Sequence, residues 1–167
     1  MNFRPMRRIK QQLKQEQCLA ILKKATSGTL AVLGDDDYPY AVPLSYVFHD
    51  GTIYFHSALE GHKIDAIRRH NKASFCVIDK DDVHGEEYTT YFRSVIAFGH
   101  ISIIENLDDK LATAQALGRK YNPGDEAGLK RELEKSFAHM LMLKFHIDHL
   151  TGKEAIELVA HKKHHSQ

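Results

Sequence analysis

The stretch that decides the fold is DGTIYFHSALEGHKIDAIRRH, Asp50 to His70. It opens with Asp50-Gly51, a strong signal for a tight hairpin turn. The residues that follow alternate: Ile53 and Phe55 fall on one face, Tyr54 and His56 on the other, which is the period of a strand. After Gly61 the period changes, and Ile64 and Ile67 recur at helical spacing until His70-Asn71. A strand therefore runs almost directly into a helix. The join carries His56, Ser57, Ala58, Gly61 and Lys63. Ser57-Ala58-Leu59-Glu60 matches the capping box, in which serine and glutamate satisfy the first free N–H groups of a helix. The same residues also suit an anion. Gly61 lets a ligand approach the backbone closely. Lys63, unfavourable in the first turn against the helix dipole, is compensated if an anion binds there. The residues leave both readings open.

Working outward, Gln15 to Ala25 reads as a helix, with Cys18, Ile21, Leu22 and Ala25 on one face. TLAVLG (Thr29 to Gly34) is a strand and DDDYP an acidic turn. YAVPLSYVFH (Tyr40 to His49) is a second strand, interrupted by Pro43, which marks an edge, a bulge or a strand opened toward a ligand. ASFCVID (Ala73 to Asp79) is a fourth strand, and KDDVHGEE reads as a charged loop. Tyr88 to Glu105 is β-rich and forms either one strand bent near Gly99 or two. Leu107, Leu111, Ala114 and Tyr121 give a helix face, closed by Asn122-Pro123-Gly124. Leu129, Leu133 and Phe137 give another short helix. HMLMLKFHID alternates, with Leu141, Leu143, Phe145 and Ile147 on one face. The tail from Thr151 adds a strand around Ile156 to Val159 and frays at HKKHHSQ. Six or seven strands with hairpin links and three or four peripheral helices lack the regular βαβ alternation of a parallel sheet. The expectation is a single domain over residues 1–167, a mainly antiparallel barrel with helices outside it.

The chain has 167 residues, 43% hydrophobic and 27% charged, with a net charge of +1. That balance argues against a nucleic-acid binder that works by neutralising phosphates. No apolar run approaches the length of a membrane helix, and MNFRPMRRIKQQLKQEQ has no apolar stretch behind its basic residues. Cys18 and Cys76 lie in apolar patterns without metal or redox spacing, as reduced, buried thiols of a cytoplasmic protein would.

Other constellations are weaker. Pro43 leaves backbone groups unpaired that could bind a planar heterocycle; taken alone, an ordinary edge strand is the simpler explanation. Arg93 and Ser94 are polar residues within a β-rich run, a half-solvated face or a contact. His146-x-x-His149 could pair on a metal, as could His161, His164 and His165. The first pair spans a strand end, where residues three apart face opposite sides, and the others lie in a polar tail. With no HExxH and no Cys/His quartet, no native metal site is expected. G-x-S-x-G, G-x-G-x-x-G and Walker loops are absent.

Taken in order, MRR (residues 6–8), GTLAVLGDDDYPYAVPLSYVF, GTIYFHSALEGHKIDAI, FCVID, YTTYFRSVIAFGHISII and TGKEA resemble the FMN-binding split-barrel family related to pyridoxamine 5′-phosphate oxidase. Within it they are nearest to the branch of nitroimidazole reductases, the nitroimidazole-resistance proteins. The resemblance covers most of the chain and is weakest from Leu107 to Phe137. It implies an antiparallel split β-barrel, mainly β with peripheral helices, forming a homodimer with FMN at the subunit interface. By the same resemblance, Val42, Pro43, Leu44 and Ser45 run along the isoalloxazine ring, largely through backbone groups. His56, Ser57 and Ala58 pass under the ribityl chain, and Gly61 and Lys63 lie by the phosphate. Ser94 and Val95, from one subunit or the other, approach the ring edge. His56 is also the expected catalytic residue, near a small-molecule substrate. The chain lacks tryptophan, and its AIELVAHKKHHSQ tail departs from the tryptophan- and arginine-containing end of the vitamin B6 oxidases, so that reaction is not expected. The implied activity is FMN-dependent reduction of a small, nitroaromatic compound with electrons from NAD(P)H or another carrier. The alternatives are a non-catalytic module for flavin, haem or deazaflavin, and a structural dimer without ligand.

Overall fold

The structure, a computed structural model, describes residues 2–164. Seven strands form one antiparallel sheet, β1 (Ser27–Leu33), β2 (Pro39–Ser45), β3 (Val47–His49), β4 (Thr52–Ala58), β5 (Lys72–His84), β6 (Thr89–Ile103) and β7 (Met140–Glu154). Five helices accompany them: α1 (Gln15–Lys24), α2 (His62–Arg69), α3 (Leu107–Tyr121), α4 (Glu126–Ser136) and α5 (Ile156–His164). The spatial order is β2-β1-β5-β6-β7-β4-β3. The two edge strands, β2 and β3, are consecutive in the chain and separated by Tyr46 alone. One residue spans at most about 3.6 Å, so the two ends of the sheet must meet. The sheet is thereby curled into a barrel that is split along β2 and β3.

The barrel interior follows the alternation in each strand. Leu30, Ile53, Phe55, Phe75, Val77, Val95, Ala97 and Phe145 are fully buried in one cluster, with Leu22 of α1 and Ile64 of α2 packed into it. A smaller cluster of Val47, Ala114, Leu117 and Met142 seats α3 on the outside. The Asp50-Gly51 turn forms as expected. Both residues have positive φ (47° and 74°), the pair that matches the strand twist in a two-residue hairpin.

β6 is a single long strand with its register shift between Phe98 and Gly99, as the bend near Gly99 predicted. A Cβ on Gly99 would sit 1.8 Å from the His146 carbonyl oxygen, so close backbone approach requires glycine there.

Several boundaries differ from expectation. β2 continues through Pro43, which pairs with Thr29, and the break comes at Tyr46. Pro43 is tolerated because β2 is an edge. Ser57 does not cap a helix. It pairs with Leu141 inside β4, and Gly61 holds the N-cap position instead. Strand pairing as far as Ala58 and Met140 claims the backbone that the capping box would have used. KDDVHGEE is not a loop. β5 runs to His84, pairing with β6 down to Thr89, and one helical turn at Gly85–Glu87 closes the hairpin. A two-stranded ribbon satisfies its own backbone bonds, so it can extend beyond the core. The buried face of α3 is Thr113, Ala114 and Leu117, while Leu107 is exposed.

The tail forms α5 where a strand was expected, which makes five α-helices in place of three or four. The Ala155 N–H ends the ladder on the Phe92 carbonyl, and Leu158 and Val159 turn back onto Ala155. The α5 backbone continues to His164, into the tail expected to fray; residues 165–167 lie outside the described part. No helix among the described residues is long and apolar enough to cross a membrane.

Candidate functional site

β4 delivers His56, Ser57 and Ala58 to the end of the barrel. Ser57 turns inward and is buried; His56 and Ala58 are exposed. The chain then crosses Leu59-Glu60 to Gly61, whose φ of 125° and ψ of 168° lie where L side chains are rarely found. The Gly61 carbonyl accepts from Ile64 N–H (2.8 Å) and Asp65 N–H (3.1 Å), which starts α2. The N–H groups of His62 and Lys63 precede the first intrahelical bonds and have no such partner. The buried face of α2 (Ile64, Ala66 and Ile67) holds this helix start against the barrel. A Cβ on Gly61 would meet nothing within 4 Å. The glycine therefore answers a backbone requirement rather than a steric one, and the space in front of it is open.

Lys63 is half-buried, and burial pushes its ammonium below the ordinary lysine range. Among the described residues no carboxylate pairs with it; the nearby Asp65 faces Arg68 (3.8 Å). A partly desolvated cation thus sits at the positive end of a helix, with unused backbone donors beside it. That donor set suits a phosphate dianion.

α2 is fastened to the start of β2. The His62 ring stacks on Tyr40 with centroids 4.2 Å apart. His62 Nε2 lies 3.4 Å from the Asp35 backbone nitrogen and 3.7 Å from the Asp35 carboxylate. Arg69 binds the Asp35 carboxylate at 2.6 Å and holds its pKa below the usual range. The phosphate-type donors and the proline-containing edge strand are therefore neighbours. Along β2, Val42 and Leu44 pack inward, and Ala41, Pro43 and Ser45 are exposed. Because β2 pairs on one side with β1, half of its backbone groups face away from the ladder.

Ser94 and Val95 are not brought to this place within one chain. β1 and β5 stand between β2 and β6, a separation of about 14 Å at one strand spacing per step. Val95 is fully buried in the core, and Ser94 is half-buried, opposite Ile78 and Lys153.

Three features went unseen in the sequence. First, register aligns Ala41, Ala31, Ser74 and Phe98 in one row, and Pro43, Thr29, Cys76 and Ile96 in the next. This outer face of β2, β1, β5 and β6 carries no charged residue in either row. Phe98 and Ile96 are more than a third exposed, and Ile78 beyond them is 65% exposed. Cys18 is buried as expected, whereas Cys76 is half-buried on this face; burial raises both thiols. The alternation of each strand carried the signal, but the face appears only once the register is known.

Second, Lys120 and Tyr121, at the end of α3, fasten the split. Lys120 Nζ donates to the carbonyls of Ala25 (2.5 Å) and Tyr46 (2.9 Å) and lies over the Tyr46 ring. The Tyr121 hydroxyl accepts from the Tyr46 N–H (3.0 Å) and meets the Thr26 carbonyl. Third, His146 and His149 do not face opposite sides. The register shift leaves Asp148 unpaired in β7, so both histidines join His100 and Asp148 along one surface concavity. There His100 Nδ1 binds Asp148 at 2.6 Å. A bulge inside a strand has no mark in the alternation of side chains.

A family model described as pyridoxamine 5′-phosphate oxidase matches residues 14–154. No curated protein sequence matches the chain. Among solved structures, a conserved hypothetical protein from Mycobacterium tuberculosis is similar, with a TM-score of 0.78, 18% identity and 90% of each chain covered. A candidate 5-nitroimidazole antibiotic resistance protein from Bacteroides thetaiotaomicron gives 0.69 at 19% identity over 85% of each chain. An FAD and haem binding protein from Mycobacterium smegmatis gives 0.75 at 24% identity, over 87% of this chain and 73% of the other. These likenesses establish a shared fold.

Proposed function

Because the chain belongs to the pyridoxamine 5′-phosphate oxidase family, we propose that it binds FMN between two copies of itself and reduces a small nitroaromatic compound with electrons from NAD(P)H or another carrier. The observation that carries this reading is Lys63: half-buried, without a carboxylate partner among the described residues, at the start of α2 beside open space. An ammonium desolvated in this way is poorly placed unless an anion completes it. The fit is good in charge and in donors. Lys63 Nζ and the N–H groups of His62 and Lys63 would hold the phosphate, and the outward backbone of Val42, Pro43, Leu44 and Ser45 would meet the edge of the ring. His56 and Ala58, on the outward side of β4, would border the ribityl chain; Ser57 supports them from within.

The uncharged outer face around Phe98 and Ile96 supports pairing of two chains, since contiguous exposed apolar surface marks interaction sites. Pairing also supplies what one chain lacks, a route for Ser94 to the ring edge from the partner. When bound, the flavin supplies the electron transfer. The part left to this chain is to hold the cofactor, exclude water and place a hydrogen-bond donor at the substrate. His56 is exposed and close in sequence to the phosphate donors. Its imidazole can donate to a substrate oxygen that gains charge, or deliver a proton there.

Replacement of His56 by glutamine is expected to lower kcat by about 100-fold or more with flavin content unchanged. Equal loss of flavin and activity would instead make His56 a cofactor contact. A second reading, FAD in place of FMN, is favoured by the open space at Gly61, which does not block extension beyond the phosphate, and by fold neighbours named for FAD. Chromatography of the flavin released on denaturation separates the two.

A further inference from the structure

The β5–β6 hairpin extends past the core to a tip built from Asp82, His84, Glu86, Glu87 and Tyr91, none of which the flavin reading uses. The geometry points to a divalent metal site there, with His84 Nδ1, Glu86 and Glu87 as ligands and a first-row ion of the zinc class as occupant. His84 Nδ1 lies 3.8 Å from Glu86 Oε1 and 3.9 Å from Glu87 Oε1, and the three ligand atoms lie within 4.8 Å of one another. Ligands about 2.1 Å from a tetrahedral ion stand about 3.4 Å apart. The two histidine-to-carboxylate distances are thus a few tenths of an ångström too open, and the whole trio, within 4.8 Å, closes by a shift of about 1 Å or less in Glu86, whose side chain is 77% exposed.

The surroundings are those of a supported ligand set. Asp82 Oδ2 lies 3.3 Å from His84 Nε2, a nitrogen shut off from solvent and without a well-aligned hydrogen bond. A carboxylate beside one ring nitrogen leaves the other free for a metal. The Tyr91 hydroxyl donates to Glu87 Oε2 (2.9 Å), leaving Oε1 toward His84, and the Tyr91 ring stacks on His84 with centroids 3.9 Å apart. Lys80 in turn holds Asp82 at 3.0 Å. Two carboxylates converging on one imidazole repel each other unless a cation lies between them. One nitrogen, two carboxylate oxygens and a solvent side suit zinc or manganese better than a soft-metal site. Such an ion would staple the hairpin tip across the Gly85–Glu87 turn.

The test is zinc titration of the full chain by calorimetry, with His161, His164 and His165 replaced by alanine to remove tail binding. One equivalent of zinc should bind. His84→Ala should remove it, and Glu86→Gln and Glu87→Gln should each weaken it by tenfold or more. If His84→Ala does not fold, Glu86→Gln decides, because that side chain is largely exposed. Unchanged affinity in both glutamate variants, or binding weaker than millimolar, overturns the site. An anomalous-diffraction peak beside His84 Nδ1 supports it; a peak at other histidines with none at the hairpin tip overturns it.

Discussion

Gly99 and Lys63 show how much one position decides. Gly99 faces the His146 carbonyl so closely that a methyl group cannot enter without moving backbone. Gly99→Ala should cost about 3 kcal/mol, read as a fall of several degrees in Tm. Lys63 carries the opposite kind of constraint, a half-buried cation with no carboxylate partner among the described residues. Lys63→Ala should weaken FMN binding by about 10- to 100-fold, the range of one charge-assisted hydrogen bond, with little change in fold. Its pH dependence has a definite sign. In the proposed reading it is the ammonium that would bind phosphate, and burial lowers its pKa from 10.5. Affinity should therefore be full at neutral pH and fall as pH rises through that lowered value, short of 10.5. Lys63→Gln should flatten this alkaline limb; an unchanged limb would assign it to another group.

At the scale of elements, the barrel is closed by a device that no strand pattern announces. Lys120 and Tyr121 reach from α3 to the carbonyls of Ala25, Thr26 and Tyr46. Burial lowers the Lys120 pKa as it does that of Lys63, yet carbonyl ligands and the Tyr46 ring satisfy it. Lys120→Met keeps the stem and removes the donors, taking the side-chain donor from the Ala25 carbonyl while the Tyr46 carbonyl keeps the Tyr121 hydroxyl, at a cost of about 1–3 kcal/mol. Chemical denaturation should show that loss together with earlier exposure of the split at Tyr46.

The same contrast explains what could be read in advance. β1, β4, the Asp50-Gly51 turn and the face of α2 were legible because alternation, turn residues and helical spacing are local. The capping box at Ser57, the charged loop after Asp79 and the strand at Ile156 failed for a shared reason. In each place, pairing or a lack of pairing partners, decided by distant chain, overrode a plausible local motif. The candidate site was legible as residue types at a strand-to-helix join. Its attachment to β2 through Tyr40 and His62 was not, since two residues 22 positions apart in the chain carry no mark of being stacked.

For the whole molecule, two observations argue for assembly. β2 and Ser94 lie on the same uncharged outer surface but about 14 Å apart, and exposed Phe98, Ile96 and Ile78 cross that surface. Ile96→Glu should leave the barrel folded, because Ile96 faces outward, yet shift sedimentation from dimer to monomer and lower flavin content with it. A monomeric variant that keeps full flavin affinity would confine the cofactor to one chain. The most direct test of the central claim is an absorption spectrum of the purified chain during titration with FMN. A flavin spectrum at one equivalent per chain, weakened in Lys63→Ala, is the predicted result. A protein that stays colourless and takes up no flavin at any FMN concentration would contradict it.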